Sequence, residues 1–399
     1  MKSHLQACLA MLVLPVVSAA WAQESKPGSE APPAAPGQPP QMQQAAEWLA
    51  KSFQGQATPE AAEMLIAIAK GSQLGPGEGW FHPGQTRYGW KWLAERHGAD
   101  LFKTIPKDKF KGPEGAFALL DRTGDGELGR DDFDWSDRSP LTQQAQTFAR
   151  IFYRLNQDGD GRLTREEWLK FFDEAAGGKD SLTLSGLRRA LSAVPPPKAN
   201  PAPETPLTPD ILVRGLFRGE IGSMHEGPSL EQAAPDFTLR TLDGKETVRL
   251  SDRTGKQPVV LVFGNFTCGP FRNAYALVDE LAEKYKDHVT FLGVYVREAH
   301  PIDGWRMSSN DDVEIAIAQP KTFEERLGVA NTCHAKLKMG IPLVVDELDD
   351  RVGHAYSGMP SRLYIIDQSG KIAFKSGRGP FGFKAGELEQ SLLMLLMDK

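Results

Sequence analysis

Residues 259–271 read Val-Val-Leu-Val-Phe-Gly-Asn-Phe-Thr-Cys-Gly-Pro-Phe, and this string constrains the fold more than any other. The run Val259 to Phe263 has the character of a strand buried on both faces. Pro270 to Lys286 reads as a helix with proline at its start. A strand that feeds a helix through so short a turn belongs to an α/β layer. Apolar runs at 289–296, 342–346, 362–367 and 371–375, separated by helical stretches, extend that pattern over residues 211–399. Asp367-Gln-Ser-Gly370, between the last two runs, is a hairpin signal. Cys268 falls where the strand has ended and the first helical turn begins, in the field of unpaired N–H groups that favours thiolate. The competing reading is a small buried cysteine or one half of an ordinary disulfide.

The chain has 399 residues, 46 basic and 52 acidic, which is enough for two or three domains and gives no sign of a nucleic-acid partner. Residues 1–22 resemble a secretory signal: Lys2 and His4 precede the apolar run Ala10 to Val17, and Ala20-Trp-Ala22 fits a cleavage site. No stretch reaches the roughly 18 apolar residues of a membrane span. The expectation is an exported protein, periplasmic or secreted. Removal of the signal removes Cys8 and leaves Cys268 and Cys333. The pair reads either as one disulfide or as an attacking and a resolving thiol.

Residues 23–42, rich in Pro, Ala, Gly and Gln, are expected to form a disordered leader. A helical region follows over 43–112, with helices at Gln43 to Phe53, Pro59 to Lys70 and Tyr88 to His97 and a loop at Ser72 to Gln85. Residues 113–192 form a third segment. Residues 193–210 contain a proline-rich stretch that predicts a stiff linker.

The third segment carries two strings with calcium-loop spacing. Asp121-Arg-Thr-Gly-Asp-Gly-Glu-Leu-Gly-Arg-Asp-Asp132 offers oxygen ligands from Asp121, Thr123, Asp125 and Asp132, with Glu127 at the position that gives a main-chain carbonyl. Asn156-Gln-Asp-Gly-Asp-Gly-Arg-Leu-Thr-Arg-Glu-Glu167 offers Asn156, Asp158, Asp160 and Glu167, with Arg162 at the carbonyl position. Gly126 and Gly161 stand at the sharp turn. The separation of the loops predicts an all-α paired EF-hand domain, with Ser139-Pro140 opening a helix between them whose apolar face includes Phe148, Ile151 and Phe152. Asp132 is one methylene shorter than Glu167, so the first site should be the weaker. Ser181 to Ser185 resembles a third, ligand-free loop. In an exported protein, steady external calcium suits a staple better than a sensor.

Cys268-Gly-Pro-Phe271 resembles the thioredoxin Cys-Gly-Pro-Cys with its second cysteine replaced, which excludes a dithiol shuttle there and implies single-thiol chemistry. Ala234 to Asp252 resembles the opening strand pair of the peroxiredoxin branch of that fold, and Met359-Pro360 stands where thioredoxin-like proteins keep a cis-proline. Thr267-Cys268 with Pro270-Phe271, Tyr295-Val-Arg-Glu-Ala-His-Pro-Ile-Asp-Gly-Trp305, Phe323-Glu-Glu-Arg-Leu327, Pro342 to Asp346, Met359 to Ile366 and Gly377 to Pro380 together resemble the iodothyronine deiodinases from about residue 258 onward. That resemblance implies a thioredoxin-like C-terminal domain and an active site containing Glu298 and His300. It also implies that Cys268 occupies the position usually held by selenocysteine. Phe266 and Gly269 depart from the animal pattern, as do the EF-hand strings and the signal.

The chemistry so implied is reductive dehalogenation of an iodinated phenol: Cys268 attacks iodine, His300 protonates the ring carbon, and Cys333 or an external thiol, free or on a thioredoxin-like protein, regenerates the enzyme. Thr267 and Pro360 complete the expected site. A rival reading puts the same thiolate on a peroxide, although Asn265 stands three residues before the cysteine where peroxidatic loops carry threonine. A third reading is a calcium-stabilised binding module without activity.

Overall fold

The computed structural model describes residues 40–73, 75, 82–192 and 207–398. The signal, most of the leader and nearly all of the proline-rich linker lie outside the described residues. Two compact units emerge. The first contains α1 (Pro40–Ser52) and α2 (Glu60–Ala69), whose contact buries Met42, Ala46 and Ala69.

The second unit opens with β1 (Gln85–Thr86), α3 (Trp90–Arg96), β2 (Ile105–Pro106), α4 (Ala116–Leu120), β3 (Glu127–Leu128), α5 (Pro140–Leu155), α6 (Arg165–Ala176) and α7 (Leu184–Ser192). Then α8 (Pro209–Phe217) returns to the first unit and packs on α2. The chain re-enters the second unit as β4 (Thr238–Thr241), β5 (Thr247–Arg249), β6 (Val259–Gly264), α9 (Gly269–Tyr285), β7 (Thr290–Tyr295), α10 (Ser308–Asp312), α11 (Phe323–Leu337), β8 (Leu343–Val345), α12 (Arg351–Tyr356), β9 (Arg362–Ile366), β10 (Ile372–Lys375) and α13 (Ala385–Met397).

Eight strands form one sheet in the order β1-β10-β9-β6-β7-β8-β4-β5. The centre, β6-β7-β8, is parallel, and β9 and β10 run antiparallel beside it. That mixed sheet covered by helices is the thioredoxin-like arrangement. Strand β6 is buried along its whole length, as its uninterrupted apolar run requires. Its side chains alternate between two cores. Val260 and Val262 face the layer of α9, α11 and α13, while Val259, Leu261 and Phe263 face β4, β5 and α12. The β9–β10 turn closes at Asp367–Gly370, where the Gly370 N–H donates to the Asp367 carbonyl.

Three expectations change. Residues 82–112 are not part of an independent helical region. Tyr88, Leu93 and Ile105 are buried in the same core as α9 and α13, and β1 pairs with β10. The segment from 211 opens with α8, which packs in the first unit, and its strands begin at β4. The two calcium-type loops do not pair with each other: β3, in the first loop, pairs with β2, and that segment therefore mixes strand with helix. Leu128 and Leu120 sink into the core beside α13, and Trp135 Nε1 donates to Gln390 Oε1. The first loop is thus stapled to the thiol-bearing part of the molecule. Phe148, expected on the apolar face of the helix between the loops, is 60% exposed on α5.

Candidate active site

Cys268 is the N-cap of α9, 1% exposed. Phe271 occupies the place of a second cysteine and plugs the space under the end of β6. A β-carbon on Gly264 would stand 2.2 Å from its ring, so only glycine lets the strand end so close to the helix. Phe271 also meets the rings of Tyr275 and Phe383.

The turn from 265 to 268 is held from several directions. Asn265 donates from Nδ2 to the Pro360 carbonyl at 2.9 Å, across the cis Met359–Pro360 bond. The Thr267 N–H donates to Glu298 Oε2 at 2.9 Å, and the Tyr295 hydroxyl donates to Glu298 Oε1. The Phe266 N–H donates to the same tyrosine oxygen at 3.1 Å. The His300 N–H donates to Thr267 Oγ1 at 3.0 Å, and Asn310 Nδ2 to the Thr267 carbonyl at 2.9 Å. Cys268, Thr267, Glu298, His300 and Pro360 are therefore brought into one bonded network around the turn.

Electrostatics depart from the simple helix-terminus expectation. Burial pushes the Cys268 thiol up, and the Phe271 N–H and the Arg272 charge only partly offset it. Burial also raises Glu298. The His300 imidazole is pulled down to about 4 by burial. Its Nδ1 lies 3.1 Å from the Trp305 carbonyl, so Nδ1 carries the proton and Nε2 is left as an acceptor. At neutral pH His300 is therefore a base first. It can act as a donor only after taking a proton.

Cys333 on α11 is fully buried and, like Cys268, a free thiol. Burial raises it well above the ordinary range. The resting protein thus has no bond between the two sulfurs.

Sequence reasoning passed over four residues. Tyr295 opens a quoted string but received no role. Asn265 was weighed only as a missing threonine. Arg272, one helical turn past Cys268, was legible from helical spacing. Asn310 had no local signal, because its link to Thr267 exists only in three dimensions.

In the calcium-type loops, Gly126 and Gly161 take left-handed φ values of 85° and 81°, the sharp turn such loops require. Asp121, Asp125, Asn156, Asp158 and Asp160 accept N–H groups of their own loops. Glu167 accepts from Gln157, Asp158 and Thr164, while Asp132 accepts from Thr123 and Gly129. Among the described residues, no three His, Cys, Asp or Glu side chains converge as a metal cluster. The donor types and the turn fit calcium, but the carboxylates point at main-chain N–H groups. The second loop leans on the thiol-bearing helix. Arg162 donates to the Leu337 carbonyl at 2.7 Å and pairs with Asp279 at 3.3 Å. A β-carbon on Gly161 would stand 2.5 Å from the Arg272 carbonyl.

A cysteine capping the helix that follows the central strand of a mixed sheet, its turn tied through Asn265 to a cis-proline, defines a thioredoxin-like fold. The profile of the iodothyronine deiodinases matches residues 212–395. Thyroxine 5-deiodinase of Gallus gallus is 33% identical over 177 residues, covering 44% of this chain and 67% of that one. The Sparus aurata enzyme is 32% identical over 181 residues (45% and 66%), and the human one 36% identical over 168 residues (41% and 51%). The chain belongs to the iodothyronine deiodinase family. It spans about two thirds of the fish and bird relatives and about half of the human one. Among solved structures, a thioredoxin-like protein from Aeropyrum pernix aligns with TM-score 0.29 and 20% identity over 39% of this chain and 88% of that one.

Proposed function

We propose that the protein is a thiol-dependent oxidoreductase that reductively deiodinates an iodinated phenolic compound. The observation that supports this most is the coincidence of the family match with a buried cysteine N-cap braced by Glu298, Thr267 and His300. The thiol proton passes to His300 Nε2, the sulfur attacks iodine along the carbon–iodine axis, and the carbon–iodine bond breaks. The ring carbon keeps the electron pair and takes the proton, giving a sulfenyl iodide and the deiodinated phenol. An external thiol then displaces iodide to form a mixed disulfide, and a second thiol releases Cys268. A soluble thiol or a thioredoxin-like protein would supply both. Glu298 fixes the turn through Thr267 and Tyr295, and burial raises its carboxyl.

The two loops would hold calcium through the oxygens of Asp121, Thr123, Asp125, Asp132 and the Glu127 carbonyl, and of Asn156, Asp158, Asp160, Glu167 and the Arg162 carbonyl. Calcium there would supply rigidity beside α9 and α13. The signal-like residues 1–22 would direct export, and N-terminal sequencing of the mature protein would test it. Among the described residues, no helix is long and apolar enough to cross a membrane.

The deciding assay scores iodide release from an iodothyronine and loss of hydrogen peroxide, each with a thiol reductant. Cys268→Ser should abolish iodide release, a loss of at least about a thousandfold. Cysteine-dependent peroxide loss without iodide release would reassign the site to thiol peroxidase chemistry. Full iodide release by the variant would refute the mechanism.

A further inference from the structure

Arg272 is 3% exposed and sits one helical turn from Cys268, whose carbonyl accepts the Arg272 N–H at 3.1 Å. Its Nη1 donates to the Phe266 carbonyl at 2.6 Å, and its Nη2 lies 3.7 Å from where a β-carbon on Gly269 would stand. The guanidinium is therefore folded back over the Cys268 turn. Its Nε has no hydrogen-bond partner. Among the described residues no carboxylate forms an ion pair with it, and both oxygens of nearby Glu298 are engaged by Tyr295 and Thr267.

A cation this buried is costly without an anion. The groups that face it are Cys268 at its own helix start, Cys333 from α11, Tyr295 and Glu298 from the end of β7, and His300. Tyr153 of α5 also faces Cys268. Tyr295 and Cys333 are neutral at ordinary pH, His300 is uncharged, and Glu298 is held at both oxygens by Thr267 and Tyr295 without an ion pair to Arg272. That leaves the Cys268 sulfur as the group that can complete the pair.

We infer that Arg272 is the counter-charge of the Cys268 thiolate, a positioning residue that lets a fully buried thiol ionise. This rests on Cys268 being the reacting sulfur but not on the identity of its substrate. A buried cation without a carboxylate ion pair explains how the site reaches thiolate when the helix terminus alone is outweighed by burial. Arg272 also clamps the turn through Phe266, so charge and geometry are supplied by one side chain.

The test separates them. The thiolate of Cys268 is titrated by its ultraviolet absorbance, as the difference between each protein and the same protein carrying Cys268→Ser. Alkylation by iodoacetamide is followed across the same pH range. Arg272→Gln keeps a donor for the Phe266 carbonyl and removes the charge, while Arg272→Lys keeps the charge. The Gln variant should move the thiolate midpoint up by at least about one unit and slow alkylation near neutral pH about tenfold. The Lys variant should stay within half that shift, roughly. A Gln profile that superimposes on the wild type, or equal shifts in Gln and Lys, would overturn the assignment. Because both readouts register the sulfur itself, a shifted midpoint without any iodide release would leave Arg272 in place and remove the deiodinase reading alone.

Discussion

At the residue scale, burial decides the chemistry. A thiol at a helix start reads from sequence as acidic. Yet Cys268 is raised by desolvation, because burial depends on what the rest of the chain lays over the turn. His300 shows the same effect with a measurable consequence. Its folded value of about 4 lies below the ordinary 6.5, so between these values the unfolded chain binds more protons than the folded one. Stability from this residue is present above pH 6.5 and is lost as pH falls through about 4. Urea unfolding of wild type should show a larger drop between pH 7 and pH 5 than His300→Gln, which can still donate to the Trp305 carbonyl. Equal drops would mean the imidazole is not held neutral.

At the element scale, what was legible was local. The runs at 259–263, 289–296, 342–346, 362–367 and 371–375 appear as β6 to β10 with ends moved by a residue or so, since strand periodicity and hairpin chemistry act over a few residues. What was not legible was long-range closure. Two-residue β1 carries no pattern of its own, and β3 could not announce that Ile105 is its partner. The loops also diverge for this reason. Asp132 is 1% exposed and bonded at both oxygens inside the joint with α13, whereas Glu167 is only half-buried at the start of α6. Calorimetric titration with calcium should therefore find unequal sites, with Glu167→Gln removing the tighter one. Two equally tight sites would contradict this.

For the whole molecule, the region matched by the family shares its core with residues that precede it. Leu93, Leu120 and Leu128 pack with α13 in a single core. Leu120→Ala should cost about 3 kcal/mol and lower the midpoint at which Cys268 becomes open to alkylation in urea. An early transition that leaves the thiol protected would show instead that the helical part melts alone. Strand β1 has a further consequence. Gln85 and Thr86 occupy the outer rim of the sheet against Lys375 and Phe374, where bare main-chain groups would invite another chain to continue the ladder. Those two residues, far from the sulfur in sequence, cover the β10 edge and leave an outer rim only two residues long.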